Sequence, residues 1–171
     1  MTKALIMTIL GPDQRGLVRS IAGMIEKHEG NWVESRLARL AGQFAGVIRV
    51  VCPTGKIDGL KEDLTKLEEV GIAVNFVQEI PEVSPVSPSV FIEVIGNDRP
   101  GIIRELTDAI VTIGGNVEEL TTGVESAPMS GGLIFRARGE VSFTESVALS
   151  MLLSSIEGLS DDLTVTITES K

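Results

Sequence analysis

The sequence predicts an α+β fold built from two copies of one βαββαβ unit. The turn "GPDQRG" at residues 11–16 returns as "GNDRPG" at residues 96–101, an offset of 85. Short β-rich runs and stretches with helical apolar spacing follow one another in the same order around both turns. The stretch "PEVSPVSPS", residues 81–89, has three prolines and no periodicity, which is typical of a linker. We therefore predict domains at residues 1–80 and 90–171, joined by this linker.

Each unit begins with a strand and a helix. The runs "ALIMTIL" and "VFIEVI" are short and rich in β-formers. Apolar residues then recur every three to four positions, as on one face of a helix. In the first copy they are Leu17, Val18, Ile21, Ile25 and His28, and in the second Ile102, Ile103, Leu106, Ile110 and Ile113. Glycine predicts a left-handed cap where each helix ends, at Glu29-Gly30 and Gly114-Gly115.

Two strands, a second helix and a last strand complete each unit. The strands are "NWVESRLARL" and "FAGVIRVVC" in the first copy, and "NVEELTTGV" and "GGLIFRARG" in the second, where one inserted residue pairs Gly46 with Gly132. The second helix carries the stripe Leu60, Leu64, Leu67 and Val70 in the first copy. In the second copy, Ser142 and Glu145 form an S-x-x-E capping box before "SVALSMLLSSI". The last strands are "IAVNFVQEI" and "LTVTITE". This order predicts the ferredoxin-like arrangement, an antiparallel four-stranded sheet with both helices on one face.

The composition excludes several classes of function. The 171 residues are 43% hydrophobic, yet no apolar run approaches the roughly 18 residues of a membrane helix. The N-terminal apolar segment has no signal-peptide cleavage site, so we expect a cytoplasmic protein without membrane contact. A single cysteine, Cys52, excludes internal disulfides and thiolate metal clusters. With one histidine, His28, a catalytic triad or zinc site is not expected, and no cofactor is predicted.

The net charge of −9 is unevenly distributed. Residues 1–80 carry ten basic and ten acidic side chains, whereas residues 81–171 carry five and fourteen. Nucleic-acid binding depends on clustered Lys and Arg and on stacking aromatics, and aromatic residues amount to only 4% here. The composition therefore argues against direct DNA or RNA binding.

The two glycine turns do not fit a phosphate loop. A P-loop has Lys and then Ser or Thr after its second glycine, where this chain has Leu17 and Ile102. A dinucleotide-binding turn needs a further glycine in the middle, which both turns lack.

The turns do fit the start of a helix. Asp13 and Asp98 occupy the position expected for an N-cap carboxylate. Gly16 and Gly101 then fall inside the first helical turn, where glycine costs about 1 kcal/mol relative to alanine. Two explanations are equally good: the missing side chain lets a ligand carboxylate approach the free amides, or a neighbouring strand packs there.

Asn31 and Asn116 open the second strand of each copy. Asn after Gly often serves only local backbone hydrogen bonding. Because both copies share the feature, we also expect each Asn to lie beside the glycine turn, on one edge of the domain. Amides, a carboxylate and a carboxamide together would suit a zwitterion such as an amino acid.

The pattern of strand, "D-[QR]-[RP]-G-[LI]-[VI]" turn, apolar helix and "G-N" resembles the ACT domain over nearly the whole chain. Two such units with nothing attached are similar to the glycine cleavage system transcriptional repressor group. The resemblance implies a regulatory protein that binds glycine or a related amino acid and contacts a protein partner. The ligand-binding residues it implies are Asp98, Arg99, Pro100, Gly101, Ile102 and Asn116 in the second copy, and Asp13, Gly16, Leu17 and Asn31 in the first.

The match to the family is incomplete. Serine-sensing ACT domains have a His and an Asn in the first turn, where this chain has Gly96 and Asp98 in one copy and Gly11 and Asp13 in the other. The identity of the amino acid is thus open. Pro100 fixes the backbone at the start of the helix and favours the second copy as the working site.

Two other functional classes compete with an amino-acid sensor. Acylphosphatase has the same fold and binds phosphate through an arginine at a helix start, a role open to Arg15 or Arg19 in the first copy and to Arg99 or Arg104 in the second. A ligand-free interaction scaffold is supported by "SVALSMLLSSI", which is apolar nearly all round and is buried either between the repeats or against another subunit. Edge strands offer a second mode of assembly, and we expect a homodimer or higher oligomer.

Overall fold

A computed structural model of the protein describes residues 1–77, 79, 88–127, 131–143 and 149–169. The chain divides into two compact units, Met1–Glu82 and Val83–Lys171. Most of the predicted linker lies outside the described residues, although its last residue, Ser89, already belongs to the first strand of the second unit.

The first unit has the predicted βαββαβ order. Strands β1 and β2 flank helix α1, β3 and β4 flank helix α2, and the sheet order is β2-β3-β1-β4 with antiparallel neighbours. Short 3-10 turns at Thr54–Lys56 and Lys66–Val70 precede and follow α2. The bounds are β1 Thr2–Pro12, α1 Leu17–Lys27, β2 Asn31–Leu40, β3 Gln43–Pro53, α2 Ile57–Thr65 and β4 Ala73–Val77.

The second unit repeats this order as β5, α3, β6, β7, α4 and β8, with the sheet order β6-β7-β5-β8. The bounds are β5 Ser89–Asn97, α3 Ile102–Thr112, β6 Gly115–Ser126, β7 Leu133–Phe143, α4 Leu149–Glu157 and β8 Thr164–Glu169. The ferredoxin-like prediction is thus confirmed for both units.

The alternation of side chains along the strands explains where each core lies. In β1, Leu5, Met7 and Ile9 are buried, while the residues between them face the other side of the sheet. The buried stripe of α1, Leu17, Ile21 and Ile25, packs in the same cluster. Each unit has its own cluster of buried residues, and the two clusters share no member.

The predicted alignment of the third strands is wrong. Gly11 pairs with Phe44 in the first sheet, and its counterpart Gly96 pairs with Phe135 in the second, which is an offset of 91. The second strands keep the offset of 85, and both have a β-bulge, between Trp32 and Glu34 and between Val117 and Glu119. The extra six residues therefore lie in the hairpin between β6 and β7.

The predicted left-handed glycine cap is confirmed at the end of α3 but is wrong at the end of α1. The left-handed residue is Glu29 (φ 59°) in the first unit and Gly114 (φ 79°) in the second. Gly30 and Gly115 are explained by close packing. A Cβ on Gly30 would lie 2.9 Å from the Ile25 side chain, and one on Gly115 would lie 2.7 Å from the Ile110 side chain. These glycines allow the strand to start close against the helix.

The second helices also differ from prediction. Leu60, Leu64 and Leu67 are buried as expected, but Val70 is 54% exposed. The capping box is wrong, since Ser142 belongs to strand β7 and its hydroxyl donates to Glu118. Glu145 lies outside the described residues. In α4, Leu152 and Ile156 are buried, whereas Leu149 and Met151 are exposed.

The two sheets have different open faces, that is, the faces turned away from their helices. On the first open face, Ile6, Val47 and Val77 are only partly covered, and the charged pair Arg49 and Glu79 lies among them at 2.7 Å. The second open face is predominantly polar and charged. It carries Phe91, Glu93, Arg136, Arg138, Thr164, Thr166 and Thr168.

Candidate functional site

Each glycine turn leads into a helix whose N-cap is the second glycine of the turn. Helix α1 begins at Leu17 after Gly16 (φ 84°), and α3 begins at Ile102 after Gly101 (φ 89°). The prediction that Asp13 and Asp98 are the N-caps is wrong, since neither helix has a side-chain cap hydrogen bond.

Backbone conformation accounts for these two glycines. A positive φ is unfavourable for residues with a Cβ by about 1–2 kcal/mol. A Cβ on Gly16 would meet nothing within 4 Å, and one on Gly101 would lie 3.7 Å from Glu105, an ordinary contact. Close packing explains the first glycine of each turn instead, since a Cβ on Gly11 or Gly96 would lie 2.6 Å from Ile72 or 2.5 Å from Leu163.

In the first turn, the side chains of Asp13 and Gln14 contact other parts of the first repeat. The Asp13 carboxylate lies 3.3 Å from Nη1 of Arg39 on β2. The Gln14 amide donates to the Val70 carbonyl at 2.9 Å, which ties the turn to the segment before β4. The backbone amide of Asp13 donates to Gly42 in the β2–β3 hairpin at 2.9 Å.

The second turn differs at the aspartate. The Asp98 amide donates to Leu133 at 2.8 Å, but among the described residues the Asp98 carboxylate has neither an ion-pair nor a hydrogen-bond partner. Arg99 instead forms a two-pronged ion pair with Glu105, with Nη1 2.8 Å from Oε1. Hydrogen bonds from Arg99 lower the pKa of Glu105.

A carboxylate on the loop before β8 braces the start of this second turn. The Asn97 amide donates to Oδ2 of Asp162 at 2.7 Å. A hydrogen bond from Ser160, and then that from Asn97, lower the pKa of Asp162. The turn is therefore held by the loop before β8 as well as by Glu105 of its own helix.

Both helix starts present amide hydrogens without acceptors. In α3 the amides of Ile102 and Glu105 donate to Arg99 and Gly101, whereas those of Ile103 and Arg104 have no acceptor among the described residues. Free amides and the helix dipole at this point attract anions. Pro100 precedes the cap glycine, so it lies before the first helical turn rather than in it.

A groove runs between α3 and strand β6 in the second repeat. Its volume is about 620 Å³, and it is shallow and largely open to solvent. Asp98 and Arg99 lie at its charged end, next to the free amides. Its lining residues are Asp98, Arg99, Gly101, Ile102, Ile103, Arg104, Thr107, Thr122, Val124 and Phe135.

The predicted neighbourhood of Asn and turn is wrong within each repeat. Asn31 pairs with Val51, which pairs with Ala4, whereas the turn follows Pro12 at the far end of β1. Eight residues of strand separate these levels, about 26 Å at 3.3 Å per residue. Asn116 has the corresponding place in the second sheet, level with Ser89. Its side-chain amide donates a hydrogen bond to the Glu118 carboxylate at 2.8 Å.

The sequence did not predict several of the residues that line the groove. Thr122, Val124 and Phe135 belong to β6 and β7, and their approach to the turn depends on sheet register. Arg39 was missed for the same reason. Glu105 was missed because Arg99 lies in the turn before α3, where the i,i+3 and i,i+4 spacing of a helix does not apply.

No group of described residues is placed to hold a metal ion with three or more His, Cys, Asp or Glu side chains. His28 contacts the Asp63 carboxylate at 2.8 Å, between α1 and α2. Cys52 is buried, and desolvation raises the pKa of its thiol. Among the helices in the described part of the chain, none is long and apolar enough to cross a membrane.

Residues 3–77, in the first repeat, match the family model of the ACT domain, and the second repeat has the same fold as the first. A crystal structure of an unknown protein from Galdieria sulphuraria has a TM-score of 0.85 to this chain, with 24% identity over 100% of both chains. A crystal structure provisionally described as a glycine cleavage system transcriptional repressor has a TM-score of 0.69, with 14% identity over 99% of each chain. The predicted resemblance is thus confirmed, at the level of fold for the repressor group. No curated protein matches the chain in sequence.

Proposed function

We propose that this chain is a cytoplasmic regulatory protein that binds glycine or a related small amino acid and acts through protein contacts in the transcriptional control of amino-acid metabolism. The observation that carries the proposal is the groove beside the glycine turn of the second repeat. The first repeat, which has the same fold, matches the ACT domain family model. The fold shared with a provisional glycine cleavage repressor supports the regulatory role.

The charged end of the groove has the groups that an amino acid needs. The free amides of Ile103 and Arg104 suit a carboxylate. The Asp98 carboxylate suits an ammonium group. The Asn residues belong to this site only if a second copy supplies them, because Asn116 lies at the other end of the sheet.

A hydrolase of the acylphosphatase kind is less well supported. Its phosphate would need a free guanidinium at a glycine turn, a role that Arg15 can fill in the first repeat but that Arg99 cannot fill in the second. Arg99 is held by two hydrogen bonds to Glu105, which also raise the pKa of Arg99. The ACT domain is moreover a regulatory module.

The first open face supplies a surface for self-association. Ile6, Val47 and Arg49 line a depression there of about 410 Å³. Apolar residues between charges of both signs suit an isologous dimer, in which the same patch from two copies meets across a two-fold axis. We assign this face to a second copy of the chain.

A thermal-shift panel of the amino acids, with glycine and serine first, tests the ligand. An amino acid at 100 times its Kd stabilises by about 2.7 kcal/mol, roughly 5–10 °C for a chain of this size. We expect one amino acid to give such a shift and Asp98→Ala to remove it. A flat panel at millimolar concentrations would contradict amino-acid sensing and favour the ligand-free scaffold.

Light scattering tests the self-association. Val47→Glu places an unpaired charge in the assigned interface and should give monomers. Thr166→Glu, on the second open face, is the matched control and should leave the mass unchanged. A mass that Val47→Glu does not alter would exclude this face as the interface.

A further inference from the structure

Sheet register gives a residue-by-residue correspondence between the two turns. Arg39 pairs with Phe44, which pairs with Gly11. In the second sheet Val124 pairs with Phe135, which pairs with Gly96. Arg39 and Val124 therefore occupy the same place relative to their turns.

The replacement of Arg39 by Val124 changes the state of the turn carboxylate. In the first repeat, Arg39 contacts Asp13 at 3.3 Å. In the second repeat no cation stands at this place, and the Asp98 carboxylate has no partner among the described residues. The first turn carboxylate thus has a cation beside it, and its counterpart Asp98 has no such partner among the described residues.

A second replacement lies two residues earlier on the same strands. Leu37 pairs with Gly46 and is partly buried against the first core. The corresponding Thr122 is exposed and lines the groove. A bulky apolar side chain that packs inward is therefore replaced by a small hydroxyl side chain on the groove wall.

We infer that only the second repeat binds the amino acid, and that Arg39 and Leu37 close the corresponding place in the first repeat. This inference rests on the proposed function and names the residues that restrict it to one site. Val124 and Thr122 leave the groove open, and Asp98 is the counter-ion for the ligand's ammonium group.

Titration calorimetry with the amino acid selected by the panel distinguishes the possible results. One mole of ligand per mole of wild-type chain is expected. Two equivalent moles per chain would overturn the one-site inference and leave amino-acid sensing intact. No heat with any of the amino acids would overturn the sensing proposal, and the one-site inference with it.

Paired variants then test the named residues. Asp98→Asn removes a charged hydrogen-bond acceptor, so we expect affinity to fall about 10- to 100-fold. Asp13→Asn, its counterpart, should change affinity less than about twofold. Equal losses in the two variants would contradict the assignment.

The exchange at Val124 separates charge from bulk. Val124→Arg supplies Asp98 with an internal cation and should weaken binding on the order of tenfold, whereas Val124→Gln, of similar length but neutral, should weaken it less. The double variant Leu37→Thr and Arg39→Val should raise the stoichiometry above one. Equal effects of Arg and Gln at position 124, together with unchanged stoichiometry in the double variant, would sink the idea.

Discussion

The two repeats have the same fold but use different side-chain chemistry at corresponding places. In the first, the turn carboxylate is paired, a charged cluster joins the two helices, and the open face carries Ile6, Val47 and Val77 around one ion pair. In the second, the turn carboxylate has no partner among the described residues, and the open face is predominantly polar and charged. The comparison teaches that one backbone frame carries different side-chain chemistry at corresponding places, and on this difference we base the proposal of a ligand site in the second repeat and of self-association through the first.

Separate cores predict separate responses to core mutations. Ile21 and Leu106 occupy corresponding places on α1 and α3, and both are fully buried. Replacing either with alanine should destabilise its own repeat by about 2–5 kcal/mol, through lost burial and the cavity that remains. Chemical denaturation followed by fluorescence measures this, because the single tryptophan, Trp32, packs against the first core.

The expected contrast is between the two variants. Ile21→Ala should move the fluorescence transition to lower denaturant, and Leu106→Ala should move mainly the circular-dichroism transition. A fluorescence transition shifted equally by both variants would show that the repeats unfold as one cooperative unit.

Periodicity and turn chemistry predicted the order of elements, because apolar spacing and glycine caps are local signals. They did not predict the register of β6 and β7, since six residues were added in a hairpin that leaves no periodic trace. The placement of Asn31 beside the turn failed for a topological reason. Helix α1 carries the chain back along β1, so the residue after the helix starts at the opposite end of the sheet.

Only part of the lining of the candidate groove could be predicted from the sequence, because only part of it comes from one continuous segment. Residues 98–102 are contiguous in sequence, and the groove does contain Asp98, Arg99, Gly101 and Ile102. Thr122, Val124 and Phe135 reach it only through pairing of β6 with β7. Long-range pairing is set by the whole sheet, so no local pattern indicates it.

The cap glycines offer an intermediate effect that should be equal in the two repeats. Gly16→Ala and Gly101→Ala should each lower stability by about 1–2 kcal/mol, because alanine must adopt a positive φ. Gly23→Ala is the control. Gly23 lies inside α1 with open space around it, so alanine there should raise stability by about 0.5–1 kcal/mol. Denaturation midpoints without ligand measure all three, and a neutral Gly16→Ala would contradict the backbone explanation.

The smallest expected effect concerns the charged cluster between α1 and α2, and it depends on pH. Hydrogen bonds from Lys27, and then from Lys66 and His28, hold the pKa of Asp63 well below its usual range. A carboxyl group whose pKa is lowered by folding stabilises the protein above its unfolded pKa of about 3.9, and this stabilisation is lost as the pH falls below that value.

Asp63→Asn should therefore destabilise the first repeat at pH 7, and its difference from the wild type should shrink towards pH 3. Glu34→Gln in β2 is the control in the same repeat, since its exposed contact with Arg36 at 3.9 Å should contribute little at either pH. Fluorescence of Trp32 measures the unfolding midpoints, and a difference between Asp63→Asn and the wild type that stays constant from pH 7 to pH 3 would rule out the ionised carboxylate as the source of the stabilisation.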